Sequence, residues 1–209
     1  MNIGIIGSGN MGGGIGKIWA KKGHSVVFSY SRSRDKLESL ASSVPNARAG
    51  TPAEAAQAEV VLLSVRWPDV PDALAQAGTL GGKIVIDCTN PLKSDLSGLS
   101  IGWSTSAAEE IAKMASGASV VKAFNTAFAQ VYGEATRLFG SRRVSMFHCG
   151  DDVKAKTVVS KLIHDVGFDP IDCGPLTSAR YLEQVAMLMI TLGYGMKMGT
   201  NIALDISRR

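Results

Sequence analysis

Short apolar runs rich in β-branched residues alternate along the chain with longer segments of mixed polarity. One of them, Val60-Val61-Leu62-Leu63, is apolar at every position, as is typical of central strands in a parallel sheet covered by helices. The pattern predicts seven strands, at Ile3–Ile6, Ser25–Tyr30, Val60–Val65, Lys83–Asp87, Ser119–Ala123, Val144–Cys149 and Phe168–Cys173. Strands that alternate with helices predict right-handed βαβ units and an α/β fold.

Helix starts are marked by capping sequences. Thr51-Pro52-Ala53-Glu54 is a capping box with proline at the first helical position, and Ser106-Ala107-Ala108-Glu109 is a second candidate. Further helices are predicted at Asp69–Ala77 and Asp152–Val166, and a Met-rich apolar segment, Ser178–Ile206, predicts one helix or two. The alternation ends near Gly174-Pro175. We therefore expect a main domain over 1–174 and a helical extension over 175–209 that is not an independent domain.

A glycine-rich turn follows the first strand. Gly7-Ser8-Gly9-Asn10-Met11-Gly12 has the spacing G-x-G-x-x-G and leads into a helical run at Ile15–Lys22. In dinucleotide-binding domains the first glycine allows the tight turn, the second admits the pyrophosphate and the third lets the helix pack on the strand. The free N–H groups of the helix N-terminus then face the phosphates. The motif predicts a Rossmann-type, doubly wound, mostly parallel sheet with a short helical C-terminal extension. A glycine turn that binds nothing is the alternative.

The end of the second strand indicates which dinucleotide is bound. NAD sites usually carry an acidic residue about 20 residues after the glycines, where it accepts hydrogen bonds from the ribose hydroxyls. Here Ser31 and Arg32 stand at the strand end, with Arg34 and Lys36 close by. A hydroxyl and a guanidinium suit the 2′-phosphate of NADP(H), and each charged hydrogen bond contributes roughly 1.5–3 kcal/mol. Asp35 lies beyond the strand end and is expected to cap the next helix. A solvated basic turn is the alternative.

Composition narrows the class of protein further. The 209 residues are 45% hydrophobic and 19% charged, as in ordinary globular proteins, and the net charge of +4 suits an anionic small molecule. No nucleic-acid-binding motif is present. The three cysteines form no metal-ligand spacing, and so sparse a count fits a reducing cytosol. The N-terminal residues lack the basic region and long apolar run that are typical of a signal peptide, and the apolar stretch Val185–Leu192 is too short to cross a bilayer. We therefore expect a cytoplasmic protein with neither a membrane nor a nucleic-acid partner, and without a metal.

Ligands of open α/β sheets lie beyond the carboxyl ends of the strands. Four segments are predicted to meet there: Ser64-Val65-Arg66-Trp67-Pro68, Asp87-Cys88-Thr89-Asn90-Pro91, Lys122-Ala123-Phe124-Asn125-Thr126 and Cys173-Gly174-Pro175-Leu176. A proton-transfer set is missing, because no tyrosine is followed four residues later by lysine. His24, His148 and His164 are better explained as structural or solvated residues, and Lys122 as a paired one. We therefore predict no catalytic residue, since hydride transfer between two redox cofactors depends mainly on positioning.

Several of these segments together resemble one family. The chain resembles, over nearly its full length, the NADPH-dependent coenzyme F420 reductases, to which the NADPH-oxidising domain of the STEAP metalloreductases is related. The resemblance rests on the glycine motif and on four further segments: Ser31-Arg32, Asp87-Cys88-Thr89-Asn90-Pro91, Lys122-Ala123-Phe124-Asn125-Thr126, and Asp172-Cys173-Gly174-Pro175-Leu176 with the tail from Ser178 to Glu183. The Ala-Phe-Asn-Thr and Cys-Gly-Pro-Leu stretches are the more telling ones.

The resemblance implies hydride transfer between NADPH and a deazaflavin (F420) or a flavin such as FMN or FAD. It implies that Ser31 and Arg32 bind the 2′-phosphate, and that Ser8, Asn10 and Met11 lie along the pyrophosphate. The nicotinamide is expected near Val65, Asn90, Ala123 and Asn125, with Ser64 beside it. The C-terminal helices are expected to pair in a homodimer or to line the second-substrate pocket. This chain has Arg66 where the family often has proline, and Arg66-Trp67 is expected to reshape that pocket.

Two other functions remain open at this point. A small NADPH-dependent reductase of imines or carbonyl compounds would share the cofactor, although such enzymes usually have a longer helical C-terminal domain. A non-catalytic NADP-binding sensor would bind the dinucleotide without oxidising it.

Overall fold

The computed structural model describes residues 1–133, 138–139 and 142–207. Its main sheet has eight strands, ordered β10-β9-β6-β5-β4-β1-β2-β3. The strands are β1 Asn2–Ile6, β2 Ser25–Ser29, β3 Ala47–Ala49, β4 Val60–Leu63, β5 Ile84–Asp87, β6 Ser119–Ala123, β7 Leu138–Phe139, β8 Arg142–Arg143, β9 Ser145–Gly150 and β10 Asp169–Asp172. The helices are α1 Asn10–Lys21, α2 Arg34–Ser42, α3 Pro52–Ala55, α4 Val70–Ala77, α5 Ala107–Met114, α6 Val153–Val166 and α7 Ala179–Ile190. Within the described ranges, strands β7 and β8 pair with each other and not with the main sheet.

Six strands of the sheet follow the order 3-2-1-4-5-6, which is that of dinucleotide-binding domains, and all of them run parallel. The predicted Rossmann-type, mostly parallel α/β fold is therefore confirmed. The order reverses between β1 and β4, and such a switch point opens a crevice at the carboxyl edge of the sheet. Strand β3 escaped prediction because its sequence, Ala-Arg-Ala, carries no apolar run.

The last two strands depart from the parallel pattern. Strand β9 runs antiparallel to β6, with Val121 opposite Gly150, and β10 runs parallel to β9. Beyond β10, the Gly150 N–H donates to the Gly174 carbonyl, so the chain after β10 runs away from the carboxyl ends of the parallel strands. The prediction that residues 173–176 join the other strand ends at the carboxyl edge is therefore wrong. An apolar run does not reveal the direction of its strand.

Two apolar layers cover the sheet. One face packs against α1, α2 and α6 through side chains that include Trp19, Leu37 and Leu162. The other face packs against α3, α4, α5 and α7 through side chains that include Ala55, Leu74 and Leu182. Covering both faces explains why the central strands β4 and β5 are apolar on both sides.

The helix ends largely follow the predicted signals. Thr51 and Glu54 form the complete capping box of α3. Ser106 caps α5 by accepting from the Glu109 N–H, although the Glu109 carboxylate accepts from the Ser106 hydroxyl rather than from its backbone. Asp152 caps α6, which ends at Gly167 with a φ of 106°. Helix α2 is capped by Ser33, and Asp35 lies in its first turn, so the expectation that Asp35 is the cap is wrong.

The C-terminal segment is only partly helical. Helix α7 ends at Ile190, a π-helical turn covers Thr191–Gly195, and residues 196–207 form no helix. Glycines at 193, 195 and 199 explain the end, because each costs about 1 kcal/mol in a helix relative to alanine. The prediction of helix throughout Ser178–Ile206 is thus wrong for its second half. None of the described helices is long and apolar enough to span a membrane.

Candidate functional site

A cleft of about 1890 Å³ opens at the switch point between β1 and β4. Its walls are the glycine turn after β1, the segment after β2, the segment after β4 and the outer side of α1. This volume exceeds the roughly 300–1,000 Å³ of ordinary small-ligand pockets, and it suits an extended ligand such as a dinucleotide.

The glycines of the turn have different structural tasks. Gly7 has a φ of 103°, and a Cβ there would lie 2.3 Å from the Ser64 carbonyl oxygen. A Cβ at Gly12 would lie 2.2 Å from the Gly7 carbonyl oxygen, so this glycine lets α1 pack on the turn. A Cβ at Gly9 would meet no atom within 4 Å. Gly7 and Gly12 are therefore required by the fold, whereas Gly9 keeps space open in the cleft.

The N-terminus of α1 faces this space without a side-chain cap. Gly9 is the N-cap residue, and no side chain accepts from the first N–H groups of the helix. Those N–H groups and the helix dipole together favour an anion. No acidic residue lies in the first turn of α1, so no protein carboxylate competes for the position.

Two serines tie the glycine turn to the end of β2. The Ser8 hydroxyl donates to the Ser29 carbonyl (2.8 Å), and the Ser29 hydroxyl donates to the Ile5 carbonyl (2.7 Å). The Gly7 N–H donates to the same Ser29 carbonyl (3.2 Å). The turn and the residues that follow β2 therefore keep a fixed spacing.

The segment after β2 carries the basic rim of the cleft, which consists of Arg32 and Lys36 together with Ser31. All three are exposed and line the cleft. Among the described residues, neither the Arg32 guanidinium nor the Lys36 ammonium has a hydrogen bond or an ion pair. Arg34, in contrast, is paired with Glu38 at 2.7 Å. Two unpaired cations at the mouth of a cleft favour an anionic ligand.

The predicted cofactor residues separate into two groups. The cleft brings together nine of them: Gly7, Ser8, Gly9, Asn10, Ser31, Arg32, Lys36, Ser64 and Val65. Met11 and Gly12 belong to the first turn of α1 without lining the cleft, and Asn90, Ala123 and Asn125 do not line it either. Ala123 is fully buried. The roles of all these residues in binding stay predictions.

Asn90 and Asn125 bind each other at the ends of β5 and β6. The Asn90 side-chain amide donates to the Asn125 carbonyl (3.0 Å), and the Asn125 amide donates to Asn90 Oδ1 (3.0 Å) and to the Leu182 carbonyl (3.1 Å). These bonds hold α7 against the carboxyl edge of the sheet. Asn125 Oδ1 and Thr89 Oγ1 are buried and have no partner among the described residues.

A buried charge cluster lies just below, formed by Asp87, Lys122 and Glu183. The Lys122 ammonium donates to Asp87 (2.8 Å), to Glu183 (2.8 Å) and to the Thr89 carbonyl (2.6 Å). Burial acts to lower the pKa of Lys122, but the two carboxylates outweigh it and raise that pKa above its ordinary value. Lys122 is therefore a paired, charged residue of the core, which fits its interpretation as a paired lysine and not as an acid.

The histidines and cysteines show no arrangement for catalysis. His148 is buried and shares a hydrogen bond with the Ser160 hydroxyl (2.9 Å), and burial lowers its pKa. His24 contacts Asp165 (3.1 Å), and His164 contacts Arg143 (2.9 Å). Burial raises the pKa values of the Cys88 and Cys149 thiols to about 12, so neither is a thiolate at neutral pH.

Comparison with known proteins agrees with this geometry. The family model described as "NADP oxidoreductase coenzyme F420-dependent" matches residues 2–91. The F420-dependent NADP reductase of Methanothermobacter marburgensis is 32% identical over 216 residues, which cover 92% of this chain and 92% of that protein. The chain belongs to this family.

The family also has a relative within a larger protein. The metalloreductase STEAP3 of Rattus norvegicus is 31% identical over 188 residues. The match covers 90% of this chain but only 37% of STEAP3, so the chain spans just over a third of that protein's length.

Solved structures show the same fold. A crystal structure assigned as an F420-dependent NADP-reductase from Arthrobacter sp. fb24 superposes with a TM-score of 0.87 at 29% identity, covering 99% of both chains. The reductive aminase of Aspergillus terreus superposes with a TM-score of 0.66 at 19% identity, over 94% of this chain and 62% of that one. The second similarity concerns the fold alone.

Residues that the sequence reasoning missed also line the cleft of this family member. They are Gly13, Gly14, Lys17 and Lys21 on α1, Tyr30 at the end of β2, and Asp69, Asp72 and Gln76 around α4. Gly13, Lys17 and Lys21 follow one another at intervals of four residues, which places them on one face of α1. This spacing could have identified the face of α1 that lines the cleft. The others depend on contacts between distant segments, which no local pattern reveals.

Proposed function

We propose that the protein is an NADP(H)-dependent oxidoreductase that transfers hydride between NADPH and a deazaflavin (F420) or flavin acceptor. The observation that carries the proposal is the unpaired basic rim beside an open glycine turn. Arg32 and Lys36 have no protein partner among the described residues, and the space next to Gly9 is open. A phosphate-bearing ligand would pair with these cations and fill the space beside Gly9.

The residues of the cleft fit each part of NADP(H). The N–H groups at the start of α1, at Asn10 and Met11, would hold the pyrophosphate next to Gly9. Ser31, Arg32 and Lys36 would hold the 2′-phosphate. Two charged hydrogen bonds of roughly 1.5–3 kcal/mol each would favour NADPH over NADH by about tenfold or more per bond. No acidic residue at the end of β2 replaces them, because Asp35 lies inside α2 and does not line the cleft.

When bound, the nicotinamide supplies the hydride chemistry, and this chain supplies position. Ser64 and Val65 line the cleft on the β4 side of the glycine turn, where the nicotinamide half would lie. Asn90, Ala123 and Asn125 lie beyond the cleft and would support that end from behind. Burial of the nicotinamide, with water excluded, would then favour direct hydride transfer between the nicotinamide and the acceptor ring.

The nature of the acceptor is inferred from two observations. The named relatives from methanogens are F420-dependent NADP reductases. The two tyrosines that line the cleft are both engaged within the protein, since the Tyr30 hydroxyl donates to Asp72 (2.7 Å) and the Tyr132 hydroxyl to the Phe124 carbonyl (3.4 Å). Neither is poised to protonate a carbonyl or imine product. A ring acceptor that needs no such proton donor suits the cleft better.

The acceptor can be tested directly. The protein is mixed with NADPH and, in separate reactions, with F420, FMN, FAD or riboflavin, and NADPH loss is followed by absorbance. We expect turnover with F420 or with at least one flavin. Tight NADPH binding without turnover on any of them would contradict a deazaflavin or flavin acceptor, and would favour an imine or carbonyl reductase or a non-catalytic sensor.

The C-terminal helix is proposed to pair with a second copy of the chain. Its exposed side chains include Tyr181 (74% exposed) and Leu188 (52% exposed), and Met196 and Met198 follow at 67% and 59%. Large apolar side chains exposed along one segment often mark an interface. Sedimentation equilibrium would give the mass of a dimer, and the mass of a monomer at micromolar concentration would contradict the pairing.

A further inference from the structure

Arg66 lies in the cleft between the end of β2 and the ends of β5 and β6. It is the third residue after the end of β4. Strand β4 lies between β1 and β5, and β2 lies on the far side of β1. From this position the side chain could turn toward the end of β2 or toward the ends of β5 and β6. The family resemblance leads to the expectation that Arg66 shapes the second-substrate pocket. The residues that line the cleft with Arg66 indicate the opposite direction, since they include Tyr30 and Ser31 but not Asn90 or Asn125.

Arg66 is paired within its own segment, and that segment approaches the end of β2. Its Nε and Nη2 donate to the two carboxylate oxygens of Asp69 (2.9 and 3.3 Å). Tyr30, the residue directly after β2, donates its hydroxyl to Asp72, three residues beyond Asp69 (2.7 Å). Burial and this hydrogen bond raise the pKa of Tyr30 to about 12, while the charge of Arg66 opposes the shift. Arg66 and Asp69 therefore line the same cleft as Tyr30 and Asp72.

The ion pair with Asp69 fixes the guanidinium without covering it. A carboxylate that accepts from two nitrogens occupies one edge of the planar group and leaves its faces free. The Arg66 side chain is 80% exposed, and Arg66, Asp69 and Tyr30 all line the cleft together with Ser31 and Arg32. A flat cation thus lies in the cleft, held by its edge.

We propose that Arg66 binds the adenine ring of NADP(H) by stacking, and belongs to the adenosine end of the cleft rather than to the acceptor pocket. The inference rests on the proposed function. The ribose that carries the 2′-phosphate also carries the adenine, and Ser31 and Arg32 follow Tyr30 directly in the chain. The base therefore falls within reach of residues 66–72. A guanidinium plane stacks well on an aromatic ring, whereas a lysine ammonium lacks the plane.

The test separates the adenosine end from the nicotinamide end. Calorimetric titrations with 2′,5′-ADP, 5′-ADP, NADP⁺ and nicotinamide mononucleotide are made on the wild type, Arg66→Ala and Arg66→Lys. Arg48→Ala is the matched control, because Arg48 is also an exposed arginine paired with an acid (Glu54, 2.9 Å) but does not line the cleft.

We expect Arg66→Ala to weaken 2′,5′-ADP, 5′-ADP and NADP⁺ by the same factor, about five- to thirtyfold. Arg66→Lys should lose nearly as much, and nicotinamide mononucleotide and the Arg48→Ala control should be unchanged. Unchanged 2′,5′-ADP affinity in Arg66→Ala would overturn the inference. So would full affinity in Arg66→Lys, or a loss confined to 2′,5′-ADP and NADP⁺, since both would indicate a charge acting on the 2′-phosphate. A wild type that binds none of the adenine nucleotides would instead overturn the proposed function.

Discussion

Two groups of charged side chains in this protein are arranged in opposite ways. The cluster of Asp87, Lys122 and Glu183 is fully buried, and every charge in it has a partner within the chain. The basic rim, in contrast, is exposed, and its cations Arg32 and Lys36 have no partner among the described residues. Both groups lie near the carboxyl edge of the same sheet. Position at that edge therefore does not by itself identify a ligand-binding residue, and the rim is proposed as one because its cations both line the cleft and lack a partner among the described residues.

The same contrast holds for the glycines. Gly12 is required because a side chain would collide with the backbone of the turn, and Gly9 borders open space. One residue serves the fold and the other serves the cleft. Substitutions in the buried cluster and at Gly12 should therefore lower stability, whereas substitutions in the basic rim and at Gly9 should weaken ligand binding.

The largest expected effect is the loss of stability in Lys122→Met. Removing the ammonium leaves Asp87 and Glu183 buried beside each other without a cation, and breaking such a buried pair costs about 3–5 kcal/mol. Urea unfolding measures the change. Lys113→Met is the control, because the Lys113 side chain is 69% exposed beside Glu110 and its pair should contribute less than about 1 kcal/mol. Equal losses in both variants would remove the distinction between buried and exposed charges.

Arg32→Ala should show the reverse behaviour. We expect NADPH affinity to fall by about ten- to a hundredfold, since a charged hydrogen bond is lost, with NADH affinity and the urea midpoint unchanged. Fluorescence titration gives both affinities. If NADPH and NADH weakened equally, Arg32 would not recognise the 2′-phosphate.

Gly9→Ala tests the open space beside the turn. The φ of Gly9 is −75°, which alanine adopts readily, so the free energy of unfolding should stay within about 0.5 kcal/mol of the wild type. NADPH affinity should fall about tenfold, because the methyl group occupies the position of the pyrophosphate. Gly12→Ala, which meets the Gly7 carbonyl oxygen at 2.2 Å, should lower stability as well. Wild-type NADPH affinity in Gly9→Ala would place the phosphates elsewhere.

The smallest effect concerns Glu109 and Arg180, a partly buried pair that joins α5 to α7. The Arg180 guanidinium lowers the pKa of Glu109 in the folded state. The unfolded chain therefore binds the proton first as the pH falls, and the stabilisation present above about pH 4.5 is lost on acidification. Glu109→Gln should be less stable than the wild type by up to about 1 kcal/mol at pH 6, and should lose less between pH 6 and pH 3.5. If the urea midpoints of Glu109→Gln and of the wild type changed with pH in parallel, the stabilising role of the Glu109–Arg180 pair would be contradicted.

Much of the fold was accessible from the sequence. Apolar runs located all seven predicted strands, and Thr51 and Asp152 marked helix starts, because these signals are local. The direction of β9 and β10 was not accessible, since both orientations bury the same side chains. The end of α7 was missed because the periodicity was followed through the glycines at 193 and 195.

The candidate site was accessible only where its residues are close in the chain. The glycine turn and the Ser31-Arg32 segment were identified from their spacing, and the cleft brings them together. Asp69, Asp72 and Gln76 were missed, because they reach the cleft through contacts with Tyr30 and Arg66 rather than through a motif. Asn90 and Asn125 were assigned by resemblance, and their mutual hydrogen bonds place them outside the cleft wall.

The most direct test of the central claim is the affinity of the wild-type protein for NADPH compared with NADH, measured by calorimetry under one salt condition. The account attributes recognition of the 2′-phosphate to the unpaired cations of the basic rim. It predicts that NADPH binds at least about tenfold more tightly than NADH, and that the preference falls by about tenfold or more in Arg32→Ala. Equal affinities for the two dinucleotides in the wild type would contradict it.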